Sequence, residues 1–471
     1  MLTDRLSHPL VDRRMRRYLA SLAVSFGMAA GIATVALPMT GCSGGDAPAV
    51  TAESTPGASE AEAQADAKAE AIAKLAAEGK TVVTPEQLVS AADQLIKKGR
   101  HKDANTVLSL ALKANPKLAE AYVLRASIFA NADLRQRAIA DMTRAIALKP
   151  DQAAYLNARG YYSLSDQSYA QALADFDAAI AADPGHPAAH NNRGLVNMAV
   201  RRYEESIGDF DAAIAAKPDY VQALNNRGFA KLQLERFDAS LADFDAAVAA
   251  DPKFANAWSN RGMARLRVNR TADAVADFTQ AIELAPSDPS YYERRAEAYR
   301  KADQGDLAQA DLAQVKWLRR LGQLTVAIRR NPQKISSYIA RSRHLAASGR
   351  TAQAIADLDR ALEVNPAATE AMIEKAQVLA DTDQADAARQ LCDAVLQIEP
   401  LPEAYSLRGD ILYQSGQLDA AIADYEAAQR MDSQVARAFF ERSEKRKTTG
   451  QIQQASADYQ TAIQLDPSLR R

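Results

Sequence analysis

The sequence predicts an all-α solenoid built from about eleven antiparallel helix pairs. Small and apolar residues recur with the three- and four-residue spacing of a helix face. Proline recurs with a period of 34 residues, at Pro116, Pro150, Pro184, Pro218, Pro252 and Pro286, and again at Pro332, Pro366 and Pro400. A fixed period of this size is typical of stacked helix pairs, so the 471 residues are not three ordinary domains.

The composition narrows the function classes. With 48% apolar and 25% charged residues, the chain is neither collagen-like nor broadly disordered. The 57 Lys and Arg nearly balance 59 Asp and Glu, so we expect no nucleic-acid partner. Cys42 and Cys392 are the only cysteines, too few for a disulfide framework. His186 and His190 are four residues apart, but one precedes a proline and the other takes an apolar position, so we predict packing rather than metal binding.

Residues 1–41 have the three parts of an export signal. Arg13, Arg14, Arg16 and Arg17 precede an uncharged apolar run at 19–37, and small residues lead to Cys42. This pattern resembles a bacterial lipoprotein signal peptide, although Met39 stands where that family prefers Leu. The resemblance implies cleavage before Cys42, lipidation of Cys42 and export to a membrane.

Two alternatives to this leader stay open. Ser43, rather than Asp, follows the cysteine, which favours the outer membrane or its periplasmic face. However, the nineteen residues at 19–37 could just span a bilayer as an uncleaved inner-membrane signal anchor. Met15 could also be the true start.

Residues 42–84 form the next segment. Residues 43–60 are almost entirely Gly, Ser, Pro, Thr, Ala and Glu, so we predict a flexible tether after the lipidated cysteine. Residues 61–78 are rich in Ala, Glu and Lys and could form a helix that ends at Gly79.

Residues 85–322 and 335–471 carry the helix pairs. In the second helix of each period, small residues flank an apolar one, as in Ser206, Phe210 and Ala213. The first helix has a large apolar residue 28 positions before the proline and, in several copies, Gly at −24 (Gly160, Gly194, Gly228 and Gly262). Gly inside a helix costs about 1 kcal/mol relative to Ala, so its recurrence predicts close approach of the two helices.

These offsets resemble the tetratricopeptide repeat, with about eleven copies from Pro85 to Leu469. The resemblance implies a right-handed superhelical solenoid, with copies one to seven at 85–322 and copies eight to eleven at 335–471. Residues 323–334 are either an insertion or an extension of the helix before them. Polar residues replace the family's Tyr or Leu at −21 in copies three to six, where Leu or Met at −20 is expected to take over the packing.

Arginine at −25 and aspartate at −9 are kept or lost together. The first copy has Ala91 and Val107, and the ninth has Lys375 and Leu391. An arginine fork binds a carboxylate through two hydrogen bonds, so we predict structural ion pairs between the two helices of a repeat. The central pairs are Arg159 with Asp175, Arg193 with Asp209, Arg227 with Asp243, and Arg261 with Asp277.

The first helices of copies three to six suggest a ligand site. In tetratricopeptide repeats these helices line a concave groove that holds peptides, and the repeated asparagines resemble the ladder of the N-acetylglucosamine protein transferase. The candidate groove residues are Asn157, Tyr161, Asn191, Asn192, Leu195, Asn225, Asn226, Phe229, Ser259, Asn260 and Met263. Alternatively, these asparagines belong to the common repeat sequence and contact only water.

The sequence therefore predicts an exported, lipid-anchored scaffold that binds partner proteins or peptides, with no catalytic residue, cofactor or metal site. The alternatives are a structural subunit of a larger envelope assembly and a regulator of an envelope enzyme. Only Ser468–Arg471 follow the last proline, so we also expect self-association through an uncapped C-terminal end.

Overall fold

A computed structural model describes residues 83–470, which form helix pairs without any β-strand. The predicted all-helical, repeat-built fold class is confirmed. The signal peptide at 1–41, Cys42, the tether and the alanine-rich segment at 61–78 lie outside the described residues. In chain order the α-helices are α1 Pro85–Lys97, α2 His101–Ala114, α3 Ala119–Asn131, α4 Arg135–Leu148, α5 Ala153–Ser165, α6 Tyr169–Ala182, α7 Pro187–Ala199, α8 Tyr203–Ala216, α9 Val221–Gln233, α10 Phe237–Ala250, α11 Ala255–Arg267, α12 Thr271–Leu284, α13 Pro289–Lys301, α14 Gly305–Arg330, α15 Ile335–Ala346, α16 Thr351–Val364, α17 Thr369–Ala380, α18 Ala385–Ile398, α19 Pro402–Gln414, α20 Leu418–Ala427, α21 Ser433–Thr448 and α22 Ile452–Leu465.

The chain divides into two compact units. The first unit comprises the described residues up to Pro286 and Arg294–Ala308, and the second comprises Ser287–Glu293 and the residues from Gln309 onwards. In the first unit, Phe176, Phe210 and Phe244 belong to one continuous hydrophobic cluster that runs through copies three to six. In the second, Leu469 of a short 3₁₀ helix packs against a cluster around Tyr425. Among residues 83–470, no helix is long and apolar enough to cross a membrane.

A left-handed residue ends the first helix of each pair. After α7, Arg201 has φ of 63° and its amide donates to the Met198 carbonyl at 3.0 Å. The Arg202 amide donates to the Asn197 carbonyl at 2.8 Å, which completes a Schellman motif. The motif pairs the last carbonyls of the helix and reverses the chain. Only four of the eleven equivalent positions are glycine, namely Gly99, Gly349, Gly416 and Gly450.

The glycines at −24 mark close helix contacts. A Cβ on Gly228 would lie 2.8 Å from Cε1 of Phe244 and 3.1 Å from Cβ of Asp243, so only hydrogen fits there. The same contact joins Gly409 to Tyr425 in copy ten. Where the first helix has Ala instead, a smaller partner stands sixteen residues later, as in Ala92 with Leu108, Ala126 with Met142, and Ala376 with Cys392.

The extra residues of copy seven lengthen its second helix. Helix α14 has 26 residues, whereas most second helices have 14. In copies three to six, the residues at −20 pack in the core, since Met198, Leu232 and Leu266 are at most 6% exposed. They supply the packing that the polar residues at −21 do not.

Candidate functional site

The structure brings the arginine and aspartate of each central repeat into contact. Arg227 donates from Nε to Oδ2 of Asp243 at 3.0 Å and from Nη2 to Oδ1 at 2.6 Å. Arg159 with Asp175 and Arg261 with Asp277 have the same two-bond geometry, with distances of 2.6–3.1 Å. Arg193 differs because both nitrogens donate to Oδ1 of Asp209, at 2.9 and 2.6 Å. The four aspartates are buried, so these pairs fix the angle between the two helices.

The same arginines also reach the preceding repeat. Nη1 of Arg227 donates to Asp211 at 2.6 Å, and Nη1 of Arg261 donates to Asp245 at 2.7 Å. Burial alone would lower the pKa of Arg227, but hydrogen bonds to Asp243 and Asp211 raise it above its usual value. These arginines therefore stay charged and serve as structural links between repeats.

A second side chain also donates to several of these aspartates. Sequence reasoning missed this contact. Asn197 donates to Oδ2 of Asp209 at 2.8 Å, and Nζ of Lys231 lies 2.8 Å from Oδ2 of Asp243. Arg265 makes the equivalent contact in copy six. These are the polar residues at −21 that depart from the family pattern. They lie four positions after the pairing arginine, hence on the same helix face, which was the available signal.

The candidate groove asparagines form a chain of side-chain amides. Nδ2 of Asn192 donates to Oδ1 of Asn157 at 2.9 Å, and Nδ2 of Asn226 donates to Oδ1 of Asn191 at 3.0 Å. Nδ2 of Asn260 donates to Oδ1 of Asn225 at 2.9 Å. Within each neighbouring pair, Asn191 donates to Asn192 at 3.3 Å and Asn225 to Asn226 at 3.5 Å. The chain therefore runs head to tail through the first helices of successive repeats.

Arg294 of copy seven ends this amide chain. Its Nη1 donates to Oγ of Ser259 at 2.6 Å and to Oδ1 of Asn260 at 3.4 Å. The sequence shows this replacement of Asn by Arg at −26, where the amide pattern stops. A guanidinium has donors and no acceptor. Arg294 can therefore donate to Asn260 but cannot accept from a further amide, and the chain stops at this residue.

Most of the residues predicted to grip a peptide are packed inside the protein. Asn191, Asn225 and Ser259 are fully buried, and the amides take one another as partners. The buried amides are also shielded from solvent. The full set of buried candidates is Asn191, Asn192, Leu195, Asn225, Asn226, Phe229, Ser259 and Asn260, while Asn157, Tyr161 and Met263 are partly buried.

Tight stacking of the first helices explains this burial. Helix α7 buries ten of its thirteen residues, and Leu195 and Phe229 belong to the continuous core of copies three to six. A polar side chain at such a position must be hydrogen-bonded inside the protein, and an amide supplies both a donor and an acceptor. The repeated asparagines are therefore structural in this arrangement.

The second unit has an accessible polar recess on its first helices. Gln377 and Asp381 come from α17 and its end, Asp410 and Gln414 from α19, and Gln434 from α21. Ala380, Leu407 and Ile411 form its apolar floor. Gln377, Asp381 and Gln414 are exposed. We refer to this set as the polar recess.

Asp410 organises the polar recess. Its Oδ1 accepts hydrogen bonds from Nη1 of Arg430 at 2.6 Å, Nε2 of Gln434 at 2.8 Å and the hydroxyl of Tyr425 at 2.9 Å. Burial and the nearby Asp410 carboxylate raise the pKa of Tyr425, so its hydroxyl stays protonated and donates. The sequence does contain a signal for the polar recess, because Gln377 and Asp410 occupy the −23 position that is apolar in copies three to six.

The histidines and the described cysteine have packing roles. Nδ1 of His186 accepts from the Ala189 amide at 3.2 Å and caps α7, while Nε2 of His190 lies 2.9 Å from the Pro184 carbonyl. Cys392 is buried, and burial raises the pKa of its thiol to about 12. Between residues 83 and 470, no group of three or more His, Cys, Asp or Glu side chains could hold a metal ion.

Several solved structures are similar to parts of the chain. MamA from Desulfovibrio magneticus RS-1 is 20% identical, covering 36% of this chain and 96% of its own, with a TM-score of 0.33. The pilF protein of Pseudomonas aeruginosa is 17% identical and covers 45% of this chain and 97% of its own, with a TM-score of 0.40. A tetratricopeptide repeat protein from Parabacteroides merdae is 17% identical, covering 63% and 98%, with a TM-score of 0.31.

Family comparisons give a consistent assignment. No curated protein sequence matches the chain. Models described as "Tetratricopeptide repeat" match overlapping segments that run from 89 to 315, and others match 345–411 and 402–435. These matches together cover more than half of the chain, and they fall on the helix pairs described above. The chain therefore belongs to the tetratricopeptide repeat family.

Proposed function

We propose that this protein is a non-catalytic scaffold in the cell envelope, attached to a membrane by acyl chains on Cys42, and that it binds a peptide segment of a partner protein in the polar recess. The observation that carries the binding proposal is the recess itself. There, Gln377, Asp381 and Gln414 remain exposed on first helices, whereas the corresponding face of copies three to six is packed.

The recess has the chemistry that an extended peptide needs. A glutamine amide offers both a donor and an acceptor, so Gln377 and Gln414 can pair with backbone groups of almost any sequence. Asp410 adds a carboxylate that pairs with Arg430 and whose Oδ1 is held in place by three donors. The apolar floor of Leu407 and Ile411 can contact a small apolar side chain of the ligand.

A double substitution tests the recess. We expect Gln377→Ala with Gln414→Ala to lower recovery of crosslinked partner proteins from membranes by at least tenfold. The matched control is Gln152→Ala with Gln233→Ala, which removes two exposed amides from the first unit. Equal recovery from both double variants would exclude the recess as the binding surface.

A separate experiment tests membrane anchoring. The sequence Thr40-Gly41-Cys42 after an apolar run supports lipidation of Cys42, and several acyl chains anchor a protein stably where one does not. We expect Cys42→Ser to prevent acylation, which metabolic labelling with a fatty acid would detect, and to stop cleavage of the leader. Unchanged labelling would contradict lipidation of Cys42, and a wild-type chain that is neither labelled nor shortened would favour the uncleaved anchor.

A further inference from the structure

The lengthened helix α14 introduces a block of positive charge. Residues 312–356 contain nine Lys or Arg and no Asp or Glu. By contrast, residues 357–471 contain 20 acidic and 12 basic residues, and the whole chain has a net charge of −2. A block of one sign within an otherwise acidic chain creates a strong local potential.

The basic residues lie on the solvent-exposed side of α14. Val315, Leu318 and Leu324 are 3–7% exposed and form the packed side of the helix. Positions 316, 319, 320, 323, 326, 327 and 330 follow helical spacing and share the opposite side, where every residue is exposed. We refer to Lys316, Arg319, Arg320 and Arg330 as the basic face. With 1.5 Å per residue it extends for about 21 Å.

Most of this charge has no counter-ion within the protein. Arg319 donates to Glu293, and Arg343 pairs with Glu374 at 2.5 Å. In the described part of the chain, no ion pair or hydrogen bond involves the side chains of Lys316, Arg320 or Arg330, nor those of the neighbouring Arg329 and Lys334. The basic face therefore presents its positive charges to an external partner.

We propose that the basic face binds the anionic surface of a lipid bilayer, an inference that rests on the proposed membrane anchoring. The tether predicted for residues 43–60, taken as a random coil, has an end-to-end distance of about 23 Å. The bilayer is then the acidic surface that the repeats meet at the highest local concentration. Contacts with phosphates would hold the anchored protein in a preferred orientation.

The shape of the basic face favours lipid over an acidic protein segment. It is the exposed side of a single helix, and Val326, which is 43% exposed, is the only exposed large apolar residue among residues 316–330. Protein interfaces are usually centred on buried aromatic or apolar anchors. A row of dispersed charges instead matches a plane of phosphate groups, to which each Lys or Arg adds roughly fivefold in affinity.

Vesicle binding by an unlipidated chain tests the proposal without involving Cys42. The chain beginning at Ser43 keeps every residue whose structure is described. We would compare it with Lys316→Gln, Arg320→Gln and Arg330→Gln combined, using vesicles with 30% phosphatidylglycerol or with phosphatidylcholine alone. We expect the triple variant to bind anionic vesicles tenfold to a hundredfold more weakly, and neither protein to bind the neutral ones.

Two controls make the outcome decisive. Lys113→Gln, Lys117→Gln and Arg144→Gln combined remove three exposed charges from the first unit and should leave vesicle binding unchanged. Binding should also fall steeply between 0.1 M and 1 M salt, as the screening length shrinks from about 10 Å to about 3 Å. Equal binding by the two triple variants would overturn the proposal. So would a face that binds polyglutamate but not anionic vesicles, which would indicate an acidic protein partner. The Cys42→Ser labelling experiment fails or succeeds independently of these results.

Discussion

Replacing Gly228 with Ala should destabilise the array, although Ala is the better helix former. The new Cβ would lie 2.8 Å from Cε1 and 3.0 Å from Cδ1 of Phe244, where carbon atoms normally approach to about 3.5–4.0 Å. The ring is fully buried, so it cannot swing into solvent. Either the ring leaves its rotamer or α9 and α10 move apart, which also disturbs the pair between Arg227 and Asp243.

The expected size follows from two opposing effects. Overpacking a filled core costs typically 1–3 kcal/mol, and a fixed ring with an overlap approaching 1 Å lies at the upper end of that range. Ala stabilises a helix interior by about 1 kcal/mol relative to Gly. We therefore expect Gly228→Ala to lower the free energy of unfolding by about 2 kcal/mol, seen as a lower urea midpoint in far-ultraviolet circular dichroism.

A compensating substitution makes the reasoning testable. Copy one pairs Ala92 with Leu108, so Phe244→Leu should make room for the new methyl group at position 228. Phe244→Leu alone leaves a cavity and should cost about 1–2 kcal/mol. In the double variant the methyl group fills part of that cavity, so we expect at least about 1 kcal/mol of favourable coupling. Additive effects would refute the steric explanation.

Gly208 supplies the matched control. It lies in the second helix α8, is exposed, and a Cβ built there has no atom within 4 Å. Gly208→Ala should therefore raise the free energy of unfolding by about 1 kcal/mol through helix propensity alone. If Gly228→Ala were stabilising to the same extent as Gly208→Ala, the close helix contact would have no energetic consequence and the argument would fail.

Three further changes probe other features. Asn226→Ala should cost about 1–3 kcal/mol in a urea titration, because the buried Oδ1 of Asn191 loses the amide that donates to it, and an unchanged midpoint would contradict the amide chain. Cys392 should resist a maleimide at pH 8 until the protein unfolds, since burial raises the pKa of its thiol and keeps it protonated. Rapid labelling of the folded protein, detected by mass spectrometry, would refute this. Gly416→Ala should lower the free energy of unfolding by about 1 kcal/mol, because Ala must hold a φ of 74°. Gln167→Gly, at a φ of 63°, should be neutral or stabilising. The reverse order of urea midpoints would disprove the assignment to backbone strain.

The sequence predicts the helix pairs well because their constraints are local and repeated. A proline every 34 residues, with apolar residues at helical spacing, leaves few other ways to bury the apolar face. The sequence indicates the turn between the two helices of each pair less clearly. Residues such as Arg201 and Gln167 take the left-handed conformation without being glycine, because the two hydrogen bonds of the Schellman motif offset the strain.

Sequence reasoning left the surroundings of the asparagines open, because accessibility depends on how closely first helices stack. The amide chemistry at Asn191 and Asn192 suits a peptide backbone, but it suits a neighbouring asparagine equally well. Nothing local distinguishes these two partners. The structure does, by placing Nδ2 of Asn226 at 3.0 Å from Oδ1 of Asn191, where both side chains are fully buried.

The surfaces that we propose for binding lie where the repeat pattern is interrupted. In copies three to six, nearly every polar residue of the first helices has an internal partner, either an amide of the next repeat or a carboxylate of its own. Such a face gains stability but leaves few polar groups for a ligand. The polar recess occurs where Gln377 and Asp410 replace apolar residues, and the basic face occurs where α14 is longer than other second helices. The consensus positions already account for the fold. Residues that depart from the consensus without a gain in packing are therefore the ones available for recognition.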